Sequence, residues 1–524
     1  MYLHFPCPRL RTIALTGAMV PAVVAGVTGR AQAAGPSLDE KITTLHVTAR
    51  EVVLDVVVTD KKGNVITDLK RDDFKVYEDN APQVIRSFTP PKGHQAPASA
   101  PVVTSSANVT RIGNAPVTIL VLDELNTRFE DMAFARESMN KYLERQPAQL
   151  LQPTILMVVN DKKFDVIHDY TQNRDDLIGA LKKHFPYYPF RMMKNSPTDA
   201  SERMASALGA LMQIAEASSG IKGRKNVIWV GCGFPSISTD VDAANSDYAD
   251  ELNQAVKDAT QILLDTRVTL NVIDPSLMVT SVLDTSDPDV ISPADLSNAT
   301  SETGTQQLFS NDINFVQFAP ATGGFAYSMR NDVDHLIAGA IEKGSNYYTL
   351  TYSPTNHSDD PAALRRIHIE IDRPGMAANT RTGYYVEPQR VFAEKPPAPS
   401  TARLAFDLTH AALDKMVYNG IEIKAIAVKD GYELKIPAKA LGSLIETDGA
   451  NHAEVTVLTA CFGEHDRVLS HVPQELATRL PSDVTQDVTF KISFSVPPGT
   501  KRIRFVVRDA VDGKMGTADV TPSL

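Results

Sequence analysis

The stretch VTILVLDELNTRFED, residues 117–131, opens as an apolar run and closes in acids, an amide and a hydroxyl. Asp123, Asn126 and Thr127 stand within five positions of one another. Carboxylate and hydroxyl oxygens so spaced are ligand types for a hard divalent cation. The same residues also suit a turn from a strand into a helix, with Asn126, Thr127 or Glu130 capping the helix. Asp199 and Glu202 have the D-x-x-E spacing of a capping box, which accounts for those acids without a metal. Cys232, between Gly231 and Gly233, is a thiol at the end of another apolar run. It reads either as a buried, inert cysteine or as a nucleophile with His168 or His184 as a distant base.

Other catalytic signatures are missing. The chain contains no H-E-x-x-H, G-x-S-x-G or P-loop, and Gly231-Cys232-Gly233 runs into Phe234-Pro235 without the third glycine of a dinucleotide fingerprint. A non-catalytic protein is therefore expected, with a hydrolase or thiol/redox enzyme built near Cys232 as the alternative and a structural envelope spacer as a third reading. The segment Asp274 to Phe318 is acidic and rich in Ser and Thr, with Asp284, Asp287, Asp289 and Asp295. It lacks the ordered acids and closing Glu of an EF-hand and reads as a solvated binding loop or lid.

These groups need a scaffold, and the chain has length for about three domains: 524 residues, 43% hydrophobic, 22% charged. The net charge of −11, with no long basic run, excludes a nucleic-acid-binding surface. Residues 1–33 read as a secretory signal peptide: Arg9 and Arg11, then the apolar Thr12 to Val27, then Ala31-Gln32-Ala33 for cleavage. Gly17, Pro21 and the short apolar run argue against a membrane anchor. The mature chain is expected to be exported to the periplasm, envelope or medium, without a membrane span. Cys7 would leave with the signal, and Cys232 and Cys461 are too few for a disulfide framework.

Residues 41–90 alternate apolar and polar, with turn signals at Lys62-Gly63-Asn64 and Asp79-Asn80, and predict a small β-domain. Residues 91–114, rich in Pro, Ala and Ser, read as a linker, as do 389–402. From 115 to 388, apolar runs at 117–122, 154–159, 226–230 and 268–273 alternate with helical spacing, as in Met132, Ala135, Met139, Tyr142 and in Met204, Leu208, Leu211, Ala215. That alternation predicts an α/β domain with a doubly wound, mostly parallel sheet, interrupted by an insertion at 275–318. The loops after Asp123, Gly231 and Asp274 should then share the carboxyl edge, where such sheets bind ligands. Residues 403–524 return to strand patterning, with turns at Pro497-Pro498-Gly499 and Asp512-Gly513, and predict a β-sandwich.

Asp123, Leu125 and Thr127, at alternate positions after the first central strand, resemble the D-x-S-x-S of von Willebrand factor A domains. In that family this motif, a later Thr and a later Asp form a metal-ion-dependent adhesion site. The resemblance implies Asp123, Thr127 and Thr198 as ligands of Mg²⁺ or another divalent cation. Leu125 replaces the first serine, and Cys232 stands where the third acid belongs, so the implied site is degenerate. Residues 52–88, 225–235 (KNVIWVGCGFP), 320–327 (PATGGFAY), 347–354, 373–375 and 381–385 together look like the exported von Willebrand factor A-related family abundant in acidobacteria. This resemblance covers roughly residues 45–386. It implies a central Rossmann-type domain between β-domains and a protein partner held by a surface including Asp123, Asn126, Thr127, Thr198, Asp199 and Cys232. It fixes no oligomeric state.

Overall fold

Alternation of buried side chains organises the centre of the molecule. In the computed structural model, which describes residues 51–160, 164–186, 197–234, 237–238, 246–276, 312–356, 364–386, 401–429, 431–445, 451–481 and 485–522 with Asp483, every residue of β5 (Val117–Asp123) is buried. Val117, Ile119 and Val121 join the core on one face of the sheet and Leu120 and Leu122 that on the other, as a period of two requires. The same parity runs through β6 (Gln149–Val159) and β8 (Lys225–Val230). β10 (Val268–Ile273) and β12 (Ala326–Tyr327) extend the sheet parallel to β8, and β7 (Phe164–Asn173) closes the far side antiparallel to β6. The order is β12-β10-β8-β5-β6-β7.

Helices cover both faces. α1 (Phe129–Glu144), α2 (Arg174–Lys183) and α6 (Val333–Ser345) pack through Met139, Leu177, Leu181 and Ile337 against one face. α3 (Pro197–Ala217) and α4 (Ser246–Asp265) pack through Leu208, Leu211, Val256 and Leu263 against the other. A short α5 (Phe318–Ala321) adds Phe318 and Ala319 to that second face. The mostly parallel α/β sheet expected from sequence is present, and the four predicted runs are four of its six strands, β7 and β12 being additions. Among the described residues no helix is long and apolar enough to cross a membrane.

The N-terminal β segment differs from expectation. β1 (Val52–Asp60) pairs with β13 (Tyr348–Tyr352) and β15 (Met376–Asn379), and β2 (Phe74–Glu78) pairs with β14 (Leu364–Ile371). Strands from 348–385, which sequence places in the α/β domain, thus complete the sheets of residues 52–89, and one core joins Leu54, Val56 and Phe74 to Tyr348 and Leu350. Residues 91–114 are not a free linker either: Val103, Val109 and Ile112 are buried in the main core despite the Pro- and Ser-rich context.

The C-terminal part is β-rich as expected. β17 (Lys424–Val428), β18 (Gly431–Pro437) and β22 (Asp487–Ile492) form one antiparallel sheet; β20 (Asn451–Phe462), β21 (Val468–Arg479), β23 (Arg502–Asp509) and β24 (Met515–Val520) belong to another. A helix that sequence reading missed, α7 (Thr401–Leu413), precedes them, and Leu408 and Ala411 share a core with Phe462 and Met515. Gln213 on α3 donates to Asp414 at 2.9 Å, Lys415 reaches the Val166 carbonyl at 3.1 Å, and Asn419 reaches Ser106 at 3.1 Å. Residues 50–524 accordingly behave as one unit. Residues 1–33, read from sequence as a signal peptide, together with Asp284, Asp287, Asp289, Asp295 and residues 389–400, lie outside the described residues.

Candidate functional site

From β5 the chain steps through α1 to β6 on one side, and after α3 it returns to β8 on the other. The order reverses between β5 and β8, and the crevice at such a reversal is where open α/β sheets hold ligands. Asp123 and Gly231-Cys232-Gly233 end these two strands, so the structure brings them together as expected.

Asp123 ties the two ends. Its Oδ1 accepts from the backbone N–H of Leu125 at 3.0 Å and of Asn126 at 2.9 Å, which shapes the turn. Its Oδ2 accepts from Trp229 Nε1 at 3.1 Å and from the Gly233 N–H at 2.8 Å, across the gap to β8. The side chain is fully buried. Burial pushes its carboxyl up to about 6, while the four donors favour the ionised form, so it carries charge at neutral pH. Thr127 Oγ1 accepts the Cys232 N–H at 3.2 Å. Arg128 occupies the N-cap of α1 without a side-chain cap bond, so Asn126, Thr127 and Glu130 do not cap it. Asp123 takes over the turn instead.

Gly233 has φ +70, and a Cβ there would sit 2.1 Å from the Phe315 ring. This close approach lets its N–H face Asp123. Phe315 packs on Trp229, with centroids 4.8 Å apart, and on Phe234 at 5.3 Å, giving an apolar floor beneath the clasp.

The cation that the resemblance implies does not fit this donor set. A carboxylate offers about four acceptor sites, and all four on Asp123 receive N–H donors. Leu125 contributes a buried hydrocarbon, and Thr127 already accepts from Cys232. Among the described residues no three His, Cys, Asp or Glu side chains gather closely enough to hold a metal ion. The side chains of Thr198 and Asp199, in the first turn of α3, lie outside the described residues.

Cys232 Sγ donates to Asp274 Oδ1 at 3.3 Å, and Asp274 also accepts from the Ser276 N–H at 2.9 Å. Burial pushes the thiol well above its ordinary value, and the Asp274 charge adds to the effect. Neither proposed base serves it. His168 lies on edge strand β7, three strands from β8 and so about 14 Å away. His184 Nε2 pairs with Glu124 Oε1 at 2.6 Å. Sequence reasoning missed that Glu124–His184 pair; the D-E doublet at a strand end is its faint signal. Glu124 Oε2 and both amide atoms of Asn126 are buried without a partner among the described residues.

No family model matches the chain, and no curated protein matches it. Among solved structures, the conserved hypothetical protein BatB from Bacteroides thetaiotaomicron aligns with 44% of this chain and 98% of its own, at 10% identity and TM-score 0.25. Proximal thread matrix protein 1 from the mussel byssus aligns over 44% and 48%, at 9% identity and TM-score 0.24. The pilus adhesin SpaC from Lactobacillus rhamnosus GG aligns over 75% and 53%, at 8% identity and TM-score 0.27. At such scores the likenesses decide nothing about fold or function.

Proposed function

We propose that this chain is an exported, non-catalytic interaction protein that holds a protein partner at the carboxyl edge of a von Willebrand factor A-like sheet. The observation that supports this reading is the clasp at the β5/β8 reversal: Asp123, Thr127 and Gly233 lock two loops at the position where such sheets bind. Beside it, the buried amide of Asn126 has donor and acceptor capacity to spare. The degenerate motif residues serve to shape this edge, and the protonated, acid-bound thiol of Cys232 speaks against the thiol-enzyme alternative. Export rests on the N-terminal segment 1–33 alone.

A photo-crosslinking amino acid at Phe129, half exposed at the start of α1, tests the site against one at Lys222 on the opposite edge. Expressed in the native host, the first should yield a discrete protein adduct and the second none. Equal labelling from both positions, or none from either, rejects the edge as the partner surface.

A further inference from the structure

At the other end of the sheet, where β8 and β10 begin, buried cations outnumber acids. Arg224 precedes β8 and is 1% exposed, Lys225 opens β8, and Arg267 precedes β10. Asp55 of β1 is the acid among them. Arg267 occupies both of its oxygens, with Nε 3.1 Å from Oδ2 and Nη2 2.6 Å from Oδ1. Thr349 Oγ1 adds a third hydrogen bond to Oδ1 at 2.7 Å. Lys225 Nζ donates to the carbonyls of Ile221 and Thr266. Burial pushes its ammonium down to about 7.

Arg224 is left over. Nη2 donates to the Gly323 carbonyl at 3.2 Å, and the guanidinium lies over the Tyr347 ring, 5.3 Å from its centroid. Nε and Nη1 are buried without a partner among the described residues. His94 stacks on the same Tyr347 ring, with centroids 4.2 Å apart, and its Nε2 lies 3.2 Å from Thr349 Oγ1.

Buried donors in native proteins find partners, and an orphan in this position marks a water or an ion. Charge separates the two. Asp55 hydrogen-bonds Arg267 and its charge also acts on Arg224, so two guanidiniums share one carboxylate and one positive charge is left over. We propose that Arg224 binds a small monovalent anion of the chloride class, with Nε and Nη1 as donors. The enclosed position favours a single-atom anion over phosphate or a carboxylate. This site is separate from the partner edge and stands or falls without it.

Two measurements on the purified chain decide the matter. Its melting midpoint in chloride or bromide should exceed that in gluconate at matched ionic strength and should rise with the logarithm of halide concentration. Arg224→Gln should abolish that dependence. Crystals grown in bromide should show an anomalous peak against Arg224. Equal midpoints across the anion series, or a water and no halide at Arg224, would overturn the proposal. If Arg224→Gln fails to fold, the parent series and the bromide map still give the answer.

Discussion

Arg267 grips Asp55 across 212 positions of sequence, joining the loop ahead of β10 to the middle of β1. Burial acts to raise the Asp55 carboxyl, but the Arg267 guanidinium overrides it and holds the group below the usual carboxylate range. Asp55→Ala leaves Arg267 and Arg224 facing one another without an acid. The expected loss is about 3–5 kcal/mol in a denaturant titration. A change under about 0.5 kcal/mol would show that the pair contributes nothing to holding the β1 sheet on the central sheet.

Gly231 adopts φ +152, and a Cβ there would sit 2.3 Å from Asp123 Cβ and 2.6 Å from Thr127 Oγ1. Gly231→Ala therefore forces the two clasped strand ends apart and should cost roughly 1–3 kcal/mol. Slower hydrogen exchange at Leu125, Asn126 and Gly233 in the variant than in the parent would contradict this account.

Cys232 should react slowly with iodoacetamide at pH 7, because its thiol is held protonated by burial and by Asp274. Intact-mass spectrometry over time measures this directly. Asp274→Asn removes the charge and should accelerate labelling. Rapid alkylation of the native parent would return the thiol-enzyme alternative to the front.

His94 supplies the pH dependence. Burial pushes its imidazole from 6.5 down to about 4. Between those values the unfolded chain binds a proton that the folded chain refuses, so stability is complete above pH 6.5 and declines as pH falls toward 4. By pH 5 the loss from this residue is about 2 kcal/mol. Melting at pH 5 and pH 7.5, for the parent and for His94→Gln, measures it, and equal pH slopes in both would remove His94 as the source.

Local signals in the chain are legible where the physics is local. Apolar runs of six or so residues mark β5, β8 and β10, and the spacing of Met132, Ala135, Met139 and Tyr142 marks the buried face of α1. Periodicity carries no information about partners, so the pairing of Val52 with Tyr352 was not legible. Composition concealed Val103, Val109 and Ile112 among prolines and serines. At the site, Asp123 was recognisable as a strand end. Its acceptance of hydrogen bonds from Trp229 and Gly233, 106 and 110 positions away, depends on a β5–β8 contact that only the fold supplies.

The composite N-terminal sheets also set a schedule for synthesis. Glu78 on β2 waits for the Tyr352 hydroxyl, 274 residues later in the chain. At roughly 5–20 residues per second, that is about 15–55 s during which both edges of β1, and the edge of β2 that β14 will take, stay unpaired. Strands in that condition invite wrong partners. A holdase acting on the nascent chain, rather than any property of the finished fold, would then govern how much of this protein matures.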